Sequence, residues 1–226
     1  MFKAIVFDLD GTLLDTLEDL ADSMNSVLSS CGFPTHPADI YKEFVGEGVE
    51  YLVSRALPEE ERDPKKIRDY IQEMRREYEK RWNQKTRPYD GISNLLDRLV
   101  RLNLKLSILS NKPHDFTVKM VQYFLPLWVF SPVLGAKEDA PKKPDPFSAL
   151  RITQVLKVQP RECLYLGDTK IDMQTARAAG MYAVGALWGF RSRDELLSNG
   201  AQALISHPMV MLDLLPRGAR DPRPMT

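Results

Sequence analysis

From residue 88 to residue 205 the chain alternates short apolar runs with stretches of helical periodicity, and this alternation restricts the fold more than any other feature. Apolar runs at 104–109, 129–134, 163–166, 182–187 and 203–205 read as strands. Between and after them, a segment opening at 113 and the segments 92–102, 146–156, 171–179, 193–198 and 209–214 read as helices. Strands that alternate with helices in this way form a parallel sheet covered on both faces. Ala4-Ile5-Val6-Phe7 is one more such strand, yet the chain after it turns helical, at 14–31, 38–44, 49–57 and 63–82. The last of these is densely charged but carries Ile67, Tyr70, Ile71, Met74, Tyr78 and Trp82 on one face. The expected fold class is therefore α/β: a Rossmann-like, three-layer α/β/α core formed by residues 1–14 and 88–216, with an inserted all-helical domain at 15–87. Residues 217–226, rich in Arg and Pro, are expected to be a disordered tail.

At 226 residues the chain is long enough for such a core and its insertion. Lys plus Arg and Asp plus Glu are balanced at 31 each, so the overall basic field that draws a protein to nucleic acid is missing. Cys31 and Cys163 make no disulfide framework, which points to a reducing compartment. The first apolar run is cut off by Asp8 and Asp10 before it reaches signal-peptide length, and the stretch 123–130 contains Pro126 and falls far short of the ~20 residues that span a bilayer. The expectation is a cytoplasmic monomer or homodimer that binds neither membrane nor nucleic acid.

In doubly wound sheets ligands bind beyond the carboxyl ends of the strands, and that is where the polar residues of this chain collect. The first strand ends in Asp8-Leu9-Asp10-Gly11-Thr12. Two carboxylates at i and i+2 repel each other unless a cation is near, Gly11 permits a sharp turn, and Thr12 offers a hydroxyl and an N–H. The next strand ends in Ser110-Asn111-Lys112-Pro113 and leads into a helix whose N-terminus would favour an anion. Lys142-Lys143-Pro144-Asp145-Pro146 restrains a lysine, for which Lys143 is the choice, and Gly167-Asp168-Thr169-Lys170-Ile171-Asp172 ends a strand with a second acid pair whose hard oxygens suit Mg2+. Each motif alone is also an ordinary turn, cap or solvated pair; their succession at four strand ends makes coincidence a poor account.

Taken together, these motifs resemble those of the haloacid dehalogenase superfamily of phosphohydrolases. More narrowly, Val45-Gly46-Glu47-Gly48-Val49, Ser110-Asn111-Lys112-Pro113 and Trp188-Gly189-Phe190-Arg191 are similar to segments of the phosphoglycolate phosphatases. The resemblance implies a Mg2+-dependent phosphomonoesterase for a small phosphorylated metabolite, with 2-phosphoglycolate as the first choice. It implies Asp8 as nucleophile, forming an aspartyl-phosphate, Asp10 as acid and base, and Ser110 and Lys143 as ligands of the phosphoryl oxygens. Mg2+ would be held by Asp8, Asp168 and Asp172, with the Asp10 backbone carbonyl. The helical insertion would be a cap, and Gly11, Thr12, Asn111, Gly46, Glu47 and Gly48 would contact substrate. On the same fold a sugar-phosphate mutase, a nucleotidase, a pyrophosphatase or a phosphonate hydrolase with a cap lysine (Lys42, Lys65, Lys66, Lys80 or Lys85) remains open. So does a catalytically silent binding protein.

Overall fold

The computed structural model describes residues 1–215. Strand β1 (Ala4–Phe7) is followed by the two-residue β2 (Leu14–Asp15) and by helices α1 (Leu17–Ser30), α2 (Tyr41–Phe44), α3 (Val49–Ala56) and α4 (Pro64–Arg81). The chain returns through β3 (Arg87–Pro88) to α5 (Ile92–Arg101), β4 (Lys105–Pro113), α6 (His114–Phe124), β5 (Phe130–Ala136) and α7 (Phe147–Leu156). It ends with β6 (Cys163–Gly167), α8 (Lys170–Ala178), β7 (Tyr182–Ala186), α9 (Arg193–Ser198), β8 (Ala203–Ile205) and a 3₁₀ segment, Pro208–Leu214, where the sequence suggested an ordinary helix. The expectation for the tail concerns residues outside those described.

The main sheet is six-stranded and parallel in the order β5-β4-β1-β6-β7-β8. From β1 the chain builds outward through β4 and β5, then returns to the other side of β1 for β6, β7 and β8, so the topological switch lies beside β1. Alternate residues of β1 serve opposite layers. Ile5 and Phe7 join a cluster with Leu95, Leu99, Phe116 and Met120 of α5 and α6; Ala4 and Val6 join one with Ile152, Met173, Ala176 and Leu196 of α7, α8 and α9. That division is the three-layer α/β/α sandwich of a Rossmann-like fold.

The chain leaves and re-enters the sheet region along a short antiparallel ribbon, with Leu14 opposite Pro88 and Asp15 opposite Arg87. Helical periodicity extends to Leu14, but this non-local pairing takes Leu14 and Asp15 and delays α1 to Leu17. Asp19, buried in the first turn of α1, accepts bonds from the N–H groups of Lys85 (3.0 Å) and Thr86 (2.8 Å) and from the Thr86 hydroxyl (2.7 Å), tying the two crossings together. In α4 the Asp63 side chain caps the N–H groups of Lys65 and Lys66, Pro64 sits where its missing N–H is harmless, and Lys80 and Arg81 occupy the last turn, where the helix dipole favours cations. Its face Ile67, Met74 and Tyr78 buries into the same apolar cluster as Ile5 and Phe7, so the hydrophobic core is continuous from sheet to insertion.

One local expectation fails. Ser110 and Asn111 do not stand at a helix N-terminus: β4 runs on to Pro113, whose partner on β5 is Ala136, and α6 begins at His114. The ladder with β5 is irregular between Leu109 and Pro113, so Ser110, Asn111 and Lys112 present side chains from a bulged strand end, and the start of the helix lies beyond them.

Candidate active site

Asp8 is the residue directly after β1, and its N–H donates to the Leu166 carbonyl of β6 at 2.9 Å, which locks it at the topological switch. The following turn is closed by Gly11, whose φ of +84° suits glycine; a Cβ there would lie 2.4 Å from Asp168 Oδ2. Asp168, at the end of β6, is fully buried. It accepts from the Thr12 hydroxyl (2.8 Å) and from the Phe190 N–H (2.8 Å), so both of its oxygens are oriented by the protein. Thr169 caps α8 in a reciprocal box with Asp172: the Asp172 carboxylate accepts from the Thr169 N–H (3.0 Å) and hydroxyl (2.7 Å).

These elements bring Asp8, Asp168 and Asp172 together, with a ligand oxygen of each within 4.8 Å of the others. Lys143 completes the cluster: its Nζ lies 2.7 Å from Asp8 Oδ1 and 2.6 Å from Asp172 Oδ1. Of the adjacent pair, Lys143 is the buried one and Lys142 is exposed. Burial, and then the Asp172 charge, push Asp8 well above the usual carboxylate range, and the same causes push Asp168 up to about 7. Burial opposes the charge on Lys143, but Asp172 and Asp8 more than restore it and hold the ammonium well above its ordinary range. A single ammonium leaves this acid cluster over-supplied with negative charge. Buried oxygen donors in such excess are what a hard divalent cation requires.

The Asp10 side chain stands apart from the three-carboxylate cluster. It pairs with Lys112, whose Nζ is 3.0 and 3.3 Å from its two oxygens and 4.5 Å from the ring centre of Tyr78 on α4. The two acids of the opening motif therefore have separate lysines. Lys112 is the residue that sequence reasoning undervalued: a lysine at a strand end reads as solvated, and only the fold buries it against Asp10.

Ser110 is buried at the cavity wall and its oxygen accepts from the Lys112 N–H at 3.2 Å. The Asn111 amide has other work: it donates to the carbonyls of Gly46 (3.1 Å) and Lys143 (3.0 Å) and accepts from the Lys143 N–H (2.9 Å), linking the Gly46 loop of the insertion to the lysine loop. Gly46 and Gly48 line the cavity, and Gly46 has a φ of +120°. Glu47 instead faces Lys170, 3.2 Å away, outside that lining. Trp188 donates to the Thr12 carbonyl at 3.0 Å, so the Trp188-Gly189-Phe190 segment holds the motif turn as well as Asp168.

Arg191 extends this segment across to the helical insertion. Its buried guanidinium donates to the backbone carbonyls of Lys42, Glu43 (3.4 Å) and Val45 (3.0 Å), capping the C-terminus of α2 just ahead of Gly46. Charged hydrogen bonds of this kind contribute about 1.5–3 kcal/mol each. Arg191→Ala is expected to raise KM for a phosphomonoester by about tenfold and lower Tm, with Arg191→Lys recovering part of the KM. Steady-state kinetics beside thermal melts check this; an unaltered KM would show that the Gly46–Gly48 loop does not depend on Arg191.

The cavity between sheet and insertion encloses about 90 Å³, with Asp8, Asp10, Ser110 and Lys112 at one end and apolar side chains along the walls. Among the described residues no lysine of the insertion lines it: Lys42, Lys66, Lys80 and Lys85 pair with the acids Asp39, Glu61, Glu77 and Asp22, and Lys65 is exposed. A Schiff-base phosphonate hydrolase therefore gains no support from this cavity.

Residues 5–186 match the family model described as haloacid dehalogenase-like hydrolase. The chain is 33% identical over 194 residues to a phosphoglycolate phosphatase of Psychrobacter arcticus, covering 83% of this chain and 84% of the relative. With a phosphoglycolate phosphatase of Chromobacterium violaceum it shares 33% identity over 220 residues, 96% of this chain and 97% of the relative. Among solved structures, a protein of Lactobacillus delbrueckii subsp. bulgaricus, provisionally assigned as a phosphoglycolate phosphatase, superposes with a TM-score of 0.87 at 29% identity, over 94% of this chain and 98% of that one. A haloacid dehalogenase-like family protein of Streptococcus pneumoniae, at 23% identity over 94% and 98% of the two chains, shares the fold with a TM-score of 0.84. The chain belongs to the haloacid dehalogenase-like hydrolases, and within that family it is a phosphatase similar to the phosphoglycolate phosphatases.

Proposed function

We propose that the protein is a Mg2+-dependent phosphomonoesterase that works through an aspartyl-phosphate on Asp8 and hydrolyses a small phosphorylated acid, 2-phosphoglycolate being the best candidate. The observation that carries this reading is the placement of Asp8 in two sets at once. It lies in the carboxylate cluster with Asp168, Asp172 and Lys143, and it faces a cavity shared with the Asp10–Lys112 pair.

The donor set fits the metal: Asp8, Asp168 and Asp172 supply hard oxygens, and the family resemblance adds the Asp10 backbone carbonyl. Mg2+ bound there neutralises charge on the phosphoryl group and so lets an anionic nucleophile approach an anionic substrate. The rest is done by side chains. Asp8 Oδ forms a bond to phosphorus as the bond to the leaving oxygen breaks, dividing one hard displacement into two. Asp10, held by Lys112, whose ammonium lies against the Tyr78 ring, gives its proton to the leaving alkoxide. It then takes a proton from the water that attacks phosphorus and releases Asp8, a role worth roughly 10²–10⁴-fold. Lys143 and Ser110 neutralise and orient phosphoryl oxygens. Thr12 acts through Asp168, and Asn111 through Lys143 and Gly46, as positioning residues.

Residues 15–87 serve as the cap over this site, with the Leu14–Asp15/Arg87–Pro88 ribbon as the joint about which it opens. The apolar walls that the insertion adds to the cavity, with Arg75 among them, suit a small acidic leaving group such as glycolate. The names of the relatives point to the same compound. A metal-supplemented panel of 2-phosphoglycolate, nucleoside monophosphates, sugar phosphates and pyrophosphate tests the substrate: 2-phosphoglycolate is expected to show the highest kcat/KM, and a preference for a nucleotide would replace it.

Chelation is expected to abolish turnover, with Mg2+ restoring it, and added Mg2+ is expected to raise Tm because the cation binds the folded carboxylate cluster and not the unfolded chain. The Tm increase is expected to vanish in Asp168→Ala. Full activity after exhaustive chelation would remove the metal from the account.

A further inference from the structure

Two positively charged side chains line the cavity, among the described residues: Lys112 and Arg75. Lys112 is engaged by both oxygens of Asp10, and Lys143 by Asp8 and Asp172. Arg75 is different. It projects from α4 of the cap, and its partner, Asp115 in the first turn of α6, lies on the opposite, core side of the gap. Both side chains are about half exposed, 51% and 54%, which makes this a surface ion pair of small net value that another carboxylate can replace. The guanidinium carbon also lies 5.1 Å from the ring centre of Phe116, a buried residue of the cavity wall, so the arginine retains a support when Asp115 lets go.

The cavity that Arg75 lines has Leu20, Val49, Leu52, Ile71, Met74 and Phe116 among its walls. An anionic group carried by a leaving alcohol against these apolar side chains gains from a cation, since they offer no hydrogen bonds in place of water. We propose that Arg75 reads the leaving group, binding the carboxylate of a phosphorylated hydroxy acid by exchanging it for Asp115. The cap then closes on a bridge from its own α4 to the substrate while the phosphoryl group stays with the core. Arg75 would thus be the specificity-determining residue of the cap. The proposal rests on the substrate reading above, because a leaving group without a negative charge gives Arg75 nothing to read.

The test compares 2-phosphoglycolate with ethyl phosphate, a near-isostere that lacks the carboxylate, and reports the ratio of their kcat/KM values. The wild-type enzyme is expected to prefer 2-phosphoglycolate. Arg75→Ala is expected to reduce that ratio about 10–100-fold, chiefly through KM for the carboxylated substrate, and Arg75→Lys to recover part of it by restoring charge without the planar fork. Asp115→Asn, which frees the arginine, is expected to raise the ratio. A wild-type enzyme with no preference would overturn the substrate reading and this proposal with it. A wild-type preference that survives in Arg75→Ala would overturn the role of Arg75 alone, whatever happens to the separate rates, and a fall of the ratio in Asp115→Asn would overturn the exchange.

Discussion

Asp8→Asn is expected to lower kcat by about 10⁴-fold or more while leaving a folded protein, because the amide keeps the shape of the carboxylate but cannot form an acyl phosphate at neutral pH. Asp10→Asn is expected to be similarly crippled on 2-phosphoglycolate, because the leaving alkoxide loses its acid and the water its base; with an aryl phosphate, whose leaving group needs no acid, Asp8 is still phosphorylated and the covalent form accumulates. The folded state itself provides a control. Asp8 is raised well above the usual carboxylate range, first by burial and then by Asp172, so its ionised form weighs against folding when no metal is bound. The sign follows from linkage. A carboxyl raised in the folded state contributes stability at pH values below its unfolded range, and that contribution is lost as pH rises toward the folded value. In metal-free protein, Asp8→Asn is therefore expected to match or exceed the wild-type Tm at neutral pH, and the difference is expected to grow as pH increases from 4. An inactive variant with a lower Tm at every pH would mean that the substitution had broken the fold rather than the chemistry.

Lys143→Met carries the second large effect, and here activity and stability are expected to fall together. Lys143 is the ammonium that bridges Asp8 and Asp172 within the cluster, at 2.7 and 2.6 Å, and its side chain is 2% exposed. Methionine fills much of the same volume but leaves buried carboxylates facing one another. Removing one member of a buried ion pair costs about 3–5 kcal/mol, which urea titration of the metal-free protein would register as an earlier midpoint with little change in slope. Mg2+ is expected to recover part of that loss, since it supplies positive charge to the same oxygens, but not the activity, because the phosphoryl oxygens would still lack their lysine. We expect kcat/KM to fall about 10³-fold or more. A Lys143→Met protein of wild-type stability would show that the carboxylates are neutralised in some other way.

The parts of the fold that depend on local pattern could be read from the sequence. The lone strand before a helical insertion, the alternation after residue 88, and the caps at Asp63 and Thr169 all rest on residues a few positions apart. The grouping of Asp8, Asp168, Asp172 and Lys143 could be read for a related reason: each follows an apolar strand or precedes a helix, and in a doubly wound sheet such ends converge. What escaped depends on pairing between distant segments. Leu14 and Asp15 leave the helix because Arg87 and Pro88 pair with them, and Ser110 leaves a helix N-terminus because Ala136 extends the ladder as far as Pro113. Lys112 and Arg191 stand in the quoted motifs with no role of their own assigned. Each is buried by an acid or a set of carbonyls remote in sequence, Asp10 in one case and the end of α2 in the other.

The claim on which the rest depends is that Asp8 becomes covalently phosphorylated. Asp10→Asn protein, in which release is slowed, can be mixed with Mg2+ and p-nitrophenyl phosphate, whose leaving group needs no acid, quenched, reduced with borohydride and mapped by mass spectrometry, since an acyl phosphate is reduced to an alcohol where a free carboxylate is untouched. The account predicts homoserine at position 8, formed with both reagents present and absent when either is omitted. Modification at another residue, or none at position 8 under conditions where product forms, would contradict it.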